Sequence, residues 1–163
     1  MLLGRRFPAP TGRTNASQIF PDSAAPYINP DLLYSYRFLL SSGSYSLLGC
    51  APGSFCSQSE RGGAWLLLRW LADQKGETIL RQLVQPPLTG RANLEAVTTE
   101  SVGSLLADFA ITASVDSLEG VARSRVPARY RLTSRNLRLI YRRLFEAYGF
   151  AGGVPRPFPI APL

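Results

Sequence analysis

The chain has 163 residues, of which 45% are hydrophobic, and carries a formal net charge of +7. This length suits one domain with a buried core, and no apolar run reaches the roughly 18 residues of a membrane-spanning helix. The chain contains no histidine. This excludes Ser-His-Asp and Cys-His catalytic arrangements and the H-E-x-x-H zinc motif.

The positive charge comes almost entirely from arginine, because Lys75 is the only lysine among 18 basic residues. This bias resembles GC-rich codon usage more than a selected phosphate-binding surface. The charge allows non-specific binding of polyanions, but we expect no specific nucleic-acid role.

The ends of the chain are predicted to be irregular. Residues 1–29 are rich in Pro, Ser, Ala and Gly without periodicity, which predicts an irregular arm. The first 15 residues have no apolar stretch of the kind found in secretory signals. A helical domain is predicted over residues 30–149, with Pro30 opening a helix at 31–40, and a Gly/Pro-rich tail at 150–163.

Two cysteines flank a Pro-Gly turn in the segment from Cys50 to Cys56, C-A-P-G-S-F-C. The turn brings the sulfurs near each other and favours a disulfide, which for so small a loop stabilises by roughly 2 kcal/mol. A disulfide would indicate an exported protein. The alternative is two free thiols in a loop. Two cysteines without histidine do not complete a tetrahedral zinc site.

The strongest predicted helix covers residues 60–75 and is apolar on almost every side, with Gly76 ending it. A helix with no polar face is packed on several sides. We therefore expect a mainly α fold of about five helices around this central helix. The remaining predicted helices are 77–85, a short one at 91–97, 100–115 with Thr99 as its cap, and 133–148.

Few polar residues suggest chemistry, and none is assigned a catalytic or metal-binding role. Trp65 and Trp70 could line a cleft, but their spacing fits a buried core better. Asp108 suits a solvated or arginine-paired carboxylate, and Glu60 and Glu95 suit roles at helix ends.

An arginine-rich segment covers residues 123–143, with eight arginines and no acid. Arg135, Arg138 and Arg142 repeat at i, i+3, i+7 of the last predicted helix, and Arg143 lies beside them. One interpretation is a solvated helix face; the other is a surface for an anionic ligand or an acidic partner.

Four segments follow one another in a recognisable order: E-R-G-G-A-W-L-L-L-R-W-L-A-D-Q, I-L-R-Q-L-V-Q, T-G-R-A-N-L-E-A-V-T and S-V-G-S-L-L-A-D-F-A-I-T-A-S-V-D. They resemble a bacterial family of exported zinc metallopeptidases, the hyicolysin type of the gluzincin group. In that family an R-G-A-A-W-x-F-L-R-Y-x-A-D helix precedes T-G-x-x-N-x-E and F-x-x-L-F-x-D-F-A. The resemblance covers about residues 27–160.

Active members of this family carry H-E-x-x-H and a further glutamate ligand upstream of the matched region, and none of these residues is present here. The resemblance therefore implies a C-terminal helical subdomain, as a fragment or degenerate relative, that supports the substrate cleft without catalysing. It also implies export, zinc as the family's cofactor, and a missing N-terminal zinc-binding half as partner. The alternative is a small helical interaction module that binds an acidic partner or nucleic acid through its Arg-rich last helix.

If a half of the protein is missing, part of the apolar surface that it covered should be exposed. The central helix is apolar on too many sides to be covered by four short helices. We therefore expect an exposed apolar patch on this helix, or on the adjoining face from Ile79 to Val84.

Overall fold

The computed structural model describes the backbone of residues 25–50 and 53–148, and the side chains of residues 30–50 and 53–142. The described part is mainly helical and contains no strand, as predicted. Its six helices are α1 Ala25–Leu40, α2 Gln58–Lys75, α3 Thr78–Val84, α4 Gly90–Thr98, α5 Val102–Val115 and α6 Leu137–Tyr148. Short 3-10 turns lie at Ser42–Ser44, Arg123–Arg125 and Ala128–Tyr130.

Helix α1 begins inside the segment that the sequence predicted to be an irregular arm. It starts at Ala25, so Pro30 lies within the helix and not at its first position. Because Pro30 is near the N-terminal end, its missing N–H removes a single helical hydrogen bond, and the helix continues after it.

Helix α2 starts with a capping box. The Ser57 amide donates to Glu60 Oε2 at 2.7 Å, and the Glu60 amide donates to Ser57 Oγ at 3.1 Å. Glu60 therefore has the helix-end role expected of it. The helix ends at Gly76, as predicted, where φ is +88°.

The last two helices begin later than predicted, because other residues cap them. Ser101, not Thr99, caps α5: its Oγ accepts from the Ser104 amide at 3.2 Å, while Thr99 adopts φ +59° and closes α4. Helix α6 begins at Leu137 and not at Thr133, and Asn136 Oδ1 accepts from the Leu139 amide at 2.8 Å.

Helices α1 and α2 cross with their backbones in close contact. A Cβ at Gly62 would lie 2.0 Å from the carbonyl carbon of Tyr34, and one at Gly63 would lie 2.7 Å from Phe38 Cδ2. Ser35 Oγ donates to the Gly62 carbonyl at 3.2 Å across the same crossing. The two glycines of the R-G-G-A-W segment therefore permit this close contact between the helices.

The central helix is covered on nearly all its apolar sides, with only Ala64 and Leu68 half-buried. Its side chains belong to one core with α1, α5 and residues 132–141, and Trp65, Leu66, Leu67, Trp70 and Leu71 are all buried. Trp70 lies 5.9 Å from the Phe109 ring of α5, and Tyr36 of α1 lies 5.2 Å from Tyr141 of α6. The expected exposed patch on the central helix is therefore wrong.

Exposed apolar side chains lie instead at the end of α3 and after it. Ile79 is buried and Leu83 is half-buried, but Val84 is 79% exposed and Leu88 is 44% exposed. The exposed part of the Ile79 to Val84 face is thus its C-terminal end. Among the described residues, no helix is both long enough and apolar enough to cross a bilayer.

Candidate functional site

The two cysteines form a disulfide, which confirms the pairing favoured by the sequence. The Cα atoms of Cys50 and Cys56 are 4.9 Å apart. Cys56 immediately precedes Ser57, so the bridge ties the residue before the α2 cap to Cys50. Phe55 lies inside this loop and is 97% exposed.

The residues of this chain do not fit the zinc site of the resembled family. The sequence has no histidine, and both sulfurs are used in the disulfide, so neither is available as a thiolate ligand. In the described ranges, no three His, Cys, Asp or Glu side chains are grouped so that they could hold a metal ion.

Arg135 is not part of an exposed helix face. It precedes α6, is only 8% exposed, and donates from NH1 to the Ser134 carbonyl at 2.6 Å. Its guanidinium lies 5.7 Å from the centre of the Trp65 ring, in a cation–π contact. Burial, together with the nearby charge of Arg69, lowers the pKa of Arg135 to about 10.

Arg138 joins the end of α5 to the start of α6. Its Nε donates to the Asp116 carbonyl at 2.8 Å, and its NH2 donates to the Ser114 carbonyl at 2.7 Å. Arg142 is exposed, and the Arg143 side chain lies outside the described residues. The predicted stripe therefore does not form one solvent-facing surface, because its first two members are engaged in internal contacts.

A buried charge cluster connects α2 to the segment before α6. Arg69, a side chain only 2% exposed, places NH2 3.2 Å from Glu77 Oε1 and 4.0 Å from Asp73 Oδ1. Asp73 Oδ2 accepts from the amides of Thr133 and Ser134, both at 2.8 Å, and from Ser134 Oγ at 2.9 Å. These bonds tie residues 133–134 to α2, and α6 itself starts at Leu137, four residues later than predicted.

Two further polar residues connect the short helices. Asn93 Nδ2 donates to the Leu83 carbonyl at 2.7 Å and so ties α4 to α3. Glu95 Oε1 accepts from the Val102 amide at 3.1 Å and from Arg91 Nε at 3.0 Å, tying α4 to the start of α5. The Val102 amide is the main reason why the pKa of Glu95 is lowered.

Asp116 accepts a hydrogen bond from the first residue of α6. The Leu137 amide donates to Asp116 Oδ2 at 2.6 Å, and burial raises the pKa of this carboxyl group to about 6. Asp116 also lines a small cavity of about 40 Å³, together with Arg123, Val126 and Tyr130 among others. The sequence does not single out Asp116, because a single acid after a helix is also typical of a solvated C-terminal turn.

A larger cleft lies between α2, α5 and the turn Ala128–Tyr130. Its volume is about 400 Å³, and it is lined by Trp70, Gln74, Lys75, Glu100, Leu105, Asp108 and Arg129. At its rim, Lys75 forms an ion pair with Glu100, and Arg129 forms one with Asp108. Asp108 is thus an arginine-paired carboxylate, one of the two roles expected of it.

Trp70 connects this cleft to the core. Its side chain is buried, as its spacing predicted, and it contacts Phe109. Its Nε1–H is buried without a hydrogen-bond partner in the part of the chain that the structure describes. The cleft brings together charged residues from three separate segments, a grouping that no local sequence pattern signals.

Comparison of the chain with protein-family models, with curated proteins and with solved structures found no match.

Proposed function

We propose that this chain is the C-terminal helical subdomain of a hyicolysin-like zinc metallopeptidase, as a fragment or degenerate relative, and that it supports the substrate cleft without catalysing. This proposal rests on the contacts of the polar residues that match the family pattern. Each of these residues whose contacts are described holds two helices or segments of the chain together.

The shared polar residues of the central helix whose contacts are described are Arg69 and Asp73, which lie in its R-W-L-A-D portion. They fix the turn after α2 through Glu77 and fix the chain before α6 through Ser134. A catalytic acid or base must reach substrate directly or through water. The Arg69 side chain is buried, and both Asp73 oxygens face protein groups.

The shared residues of the following segments have the same character. Asn93 and Glu95 of the T-G-R-A-N-L-E segment join α4 to its two neighbours. Asp108 of the D-F-A segment pairs with Arg129. The family-like pattern is therefore a set of positioning residues for a helical scaffold, which is the role expected of the half that follows a metal site.

A zinc-binding half would meet this subdomain away from the central helix, whose apolar sides are already covered. Val84 and Leu88 are exposed apolar side chains at the α3–α4 connection. Burying such side chains against a partner is favourable by roughly 25 cal/mol per Å². This connection is the surface that we assign to the proposed partner.

The alternative of an interaction module with an Arg-rich binding helix has less support. Arg135 is buried against Trp65, and Arg138 is bound to carbonyl groups of α5. Neither guanidinium is presented to a polyanion without disrupting contacts within the fold.

A domain replacement tests the proposal. Residues 27–160 of this chain replace the corresponding region of an active hyicolysin-type enzyme, and we expect the chimaera to hydrolyse peptides. Asp73→Ala in the chimaera should abolish activity together with cooperative unfolding, whereas Glu119→Gln, at an exposed position, should change neither. A chimaera that folds and binds zinc but has no peptidase activity would contradict the proposal.

The isolated chain provides a second test. Titration with zinc against a chromophoric chelator should show no stoichiometric sub-micromolar binding, because the family ligands are missing. Tight stoichiometric binding would refute the assignment of a non-catalytic subdomain without its own metal site.

A further inference from the structure

Two segments without any acidic residue meet on one side of the protein. The loop between α1 and α2, residues 41–57, has no charged residue, and residues 78–94, from α3 to the first turns of α4, have two arginines and no acid. They meet where the Leu48 carbonyl oxygen lies 3.9 Å from the position that a Cβ on Gly90 would occupy.

The α3–α4 connection contributes two exposed apolar side chains near this meeting point. Leu88 lies two residues before Gly90. Val84 follows Leu83, whose carbonyl accepts from Asn93 Nδ2 on the first turn of α4 at 2.7 Å. Leu88 and Val84 are therefore both held within a few residues of the contact with the α1–α2 loop, and both are exposed to solvent.

The disulfide loop contributes a third apolar side chain, that of Phe55. This residue is adjacent to Cys56, and the bridge places Cys56 beside Cys50, which lies two residues after Leu48. The Phe55 ring is almost entirely exposed, so it has no packing role within the described protein. Because the bridge restricts the loop, less conformational entropy is lost when Phe55 enters a contact.

Arginines that no acid neutralises lie beside these apolar side chains. Arg81 lies one turn before Val84 on α3, and Arg61 lies on the first turn of α2, six residues after Phe55. Both are exposed, and neither forms an ion pair with a described carboxylate. Exposed apolar side chains combined with basic residues are typical of proteins that bind the surface of an anionic membrane.

We propose that this side of the protein binds the surface of an anionic lipid bilayer. Phe55, Val84 and Leu88 would enter the boundary between the headgroups and the acyl chains, and Arg61 and Arg81 would lie at the level of the lipid phosphates. Apolar side chains from two separate segments suit a bilayer, because lipid accepts each of them without a matching pocket. A protein partner would need a complementary surface for all three.

This inference goes beyond the proposed function and does not depend on it. The proposed function places a protein partner at Val84 and Leu88, but it gives no role to Phe55 or to the unpaired Arg61. Binding to vesicles is measured with the intact chain alone. A negative result would therefore leave the domain replacement unaffected, and an inactive chimaera would leave membrane binding unaffected.

Sedimentation with sucrose-loaded vesicles tests the proposal. The full chain with its disulfide formed is mixed with vesicles of phosphatidylcholine, or with vesicles of equimolar phosphatidylcholine and phosphatidylglycerol. We expect the protein to sediment with the mixed vesicles, and its partition coefficient to fall as the salt concentration rises. Partitioning to phosphatidylcholine alone should be at least about tenfold weaker.

Variants at exposed positions separate the apolar contribution from the electrostatic one. Phe55→Ser should lower the partition coefficient for mixed vesicles about tenfold, and Val84→Ser about fivefold. The double variant Arg61→Gln, Arg81→Gln should lower it at least about tenfold. Circular dichroism and thermal unfolding check that each variant is folded.

Control variants alter matching residues outside both segments. Arg125→Gln together with Arg142→Gln removes the same charge from two other exposed positions. Val121→Ser removes an exposed apolar side chain from the segment after α5. Each control should change the partition coefficient by less than about twofold, because these residues would not contact the bilayer.

Several results would overturn the proposal. One is the absence of sedimentation with mixed vesicles at low salt, and another is unchanged partitioning of folded Phe55→Ser and Val84→Ser. Equal losses in the arginine control and in the Arg61, Arg81 variant would show that net charge alone explains the binding. Concentration-dependent dimerisation that Phe55→Ser abolishes, without vesicle binding, would instead assign this side to a second copy of the chain.

Discussion

Asp116 makes the stability of this fold depend on pH. The carboxyl group is 6% exposed and accepts the Leu137 amide at the start of α6. Its pKa in the folded protein is about 6, compared with an ordinary value of 3.8, because burial disfavours the charged form. The hydrogen bond from Leu137 and the charges of Arg123 and Arg138 oppose this effect without cancelling it.

The direction of the pH effect follows from the raised pKa. Between about pH 4 and pH 6 the folded state binds more protons than the unfolded state at Asp116, so the free energy of unfolding falls as the pH rises. The contribution of the protonated group is fully present below pH 3.8 and is lost by about pH 6. A tenfold change in proton affinity corresponds to about 1.4 kcal/mol, so ionisation of Asp116 costs up to about 3 kcal/mol.

Asp116→Asn separates the effect of the charge on stability from that of the hydrogen bond, because asparagine keeps an oxygen that can accept from the Leu137 amide. We expect this variant to be more stable than the wild type at pH 7, by about 1–3 kcal/mol, and nearly equal at pH 4. Asp116→Ala should lose about 1 kcal/mol at pH 4, because it removes the acceptor.

Urea unfolding of the three proteins, followed by circular dichroism at several pH values, measures these differences directly. Comparison with the asparagine variant removes the contributions of all other titrating groups. If Asp116→Asn is less stable than the wild type at pH 7, ionised Asp116 stabilises the fold and the argument from burial is wrong.

Three further changes test the packing, the arginines and the disulfide. Gly62→Ala should destabilise by about 3 kcal/mol, because its Cβ would lie 2.0 Å from backbone of α1; Gly103→Ala, with open space around it, should stabilise by up to about 1 kcal/mol. Equal melting temperatures would contradict the close helix crossing. Arg135→Gln should destabilise by about 1–3 kcal/mol, whereas Arg142→Gln should change stability by less than about 0.5 kcal/mol. Similar urea midpoints for the two would indicate that both are surface residues. Thiol counting without reductant should find no free thiol, and reduction should cost about 2 kcal/mol; two free thiols after oxidative folding would contradict the bridge.

The helical core was predictable because apolar periodicity is a local property. Residues 60–75 are apolar on almost every side, and the structure buries most of this helix among its neighbours. Gly76 as its end and the disulfide also followed from local chemistry, since each depends on a few adjacent residues. From the sequence we expected short neighbouring helices to leave an apolar patch of the central helix exposed, whereas they bury most of it. The close approach of α1 at Gly62 makes this cover possible.

The arginines near α6 were misjudged because their interpretation depended on where the helix begins. With a start at Thr133, Arg135 and Arg138 would share one face with Arg142. The helix begins instead at Leu137, where Asn136 Oδ1 accepts from the Leu139 amide and the distant carboxylate of Asp116 accepts from the Leu137 amide. A bond that joins residues 21 positions apart cannot be found from periodicity, so the positions that depend on it could not be predicted.

Asp73 shows why an acid in the middle of an apolar helix is retained. One oxygen lies within ion-pair distance of Arg69 on the preceding turn, and the other accepts three hydrogen bonds from Thr133 and Ser134. Replacing this acid by an apolar residue would improve the hydrophobic pattern of α2, yet it would leave two backbone N–H groups without their acceptor and remove one of the two carboxylates beside the buried guanidinium of Arg69. The central helix therefore organises the fold in two ways: its apolar side chains hold the core, and its polar pair fixes the segment that precedes the C-terminal helix.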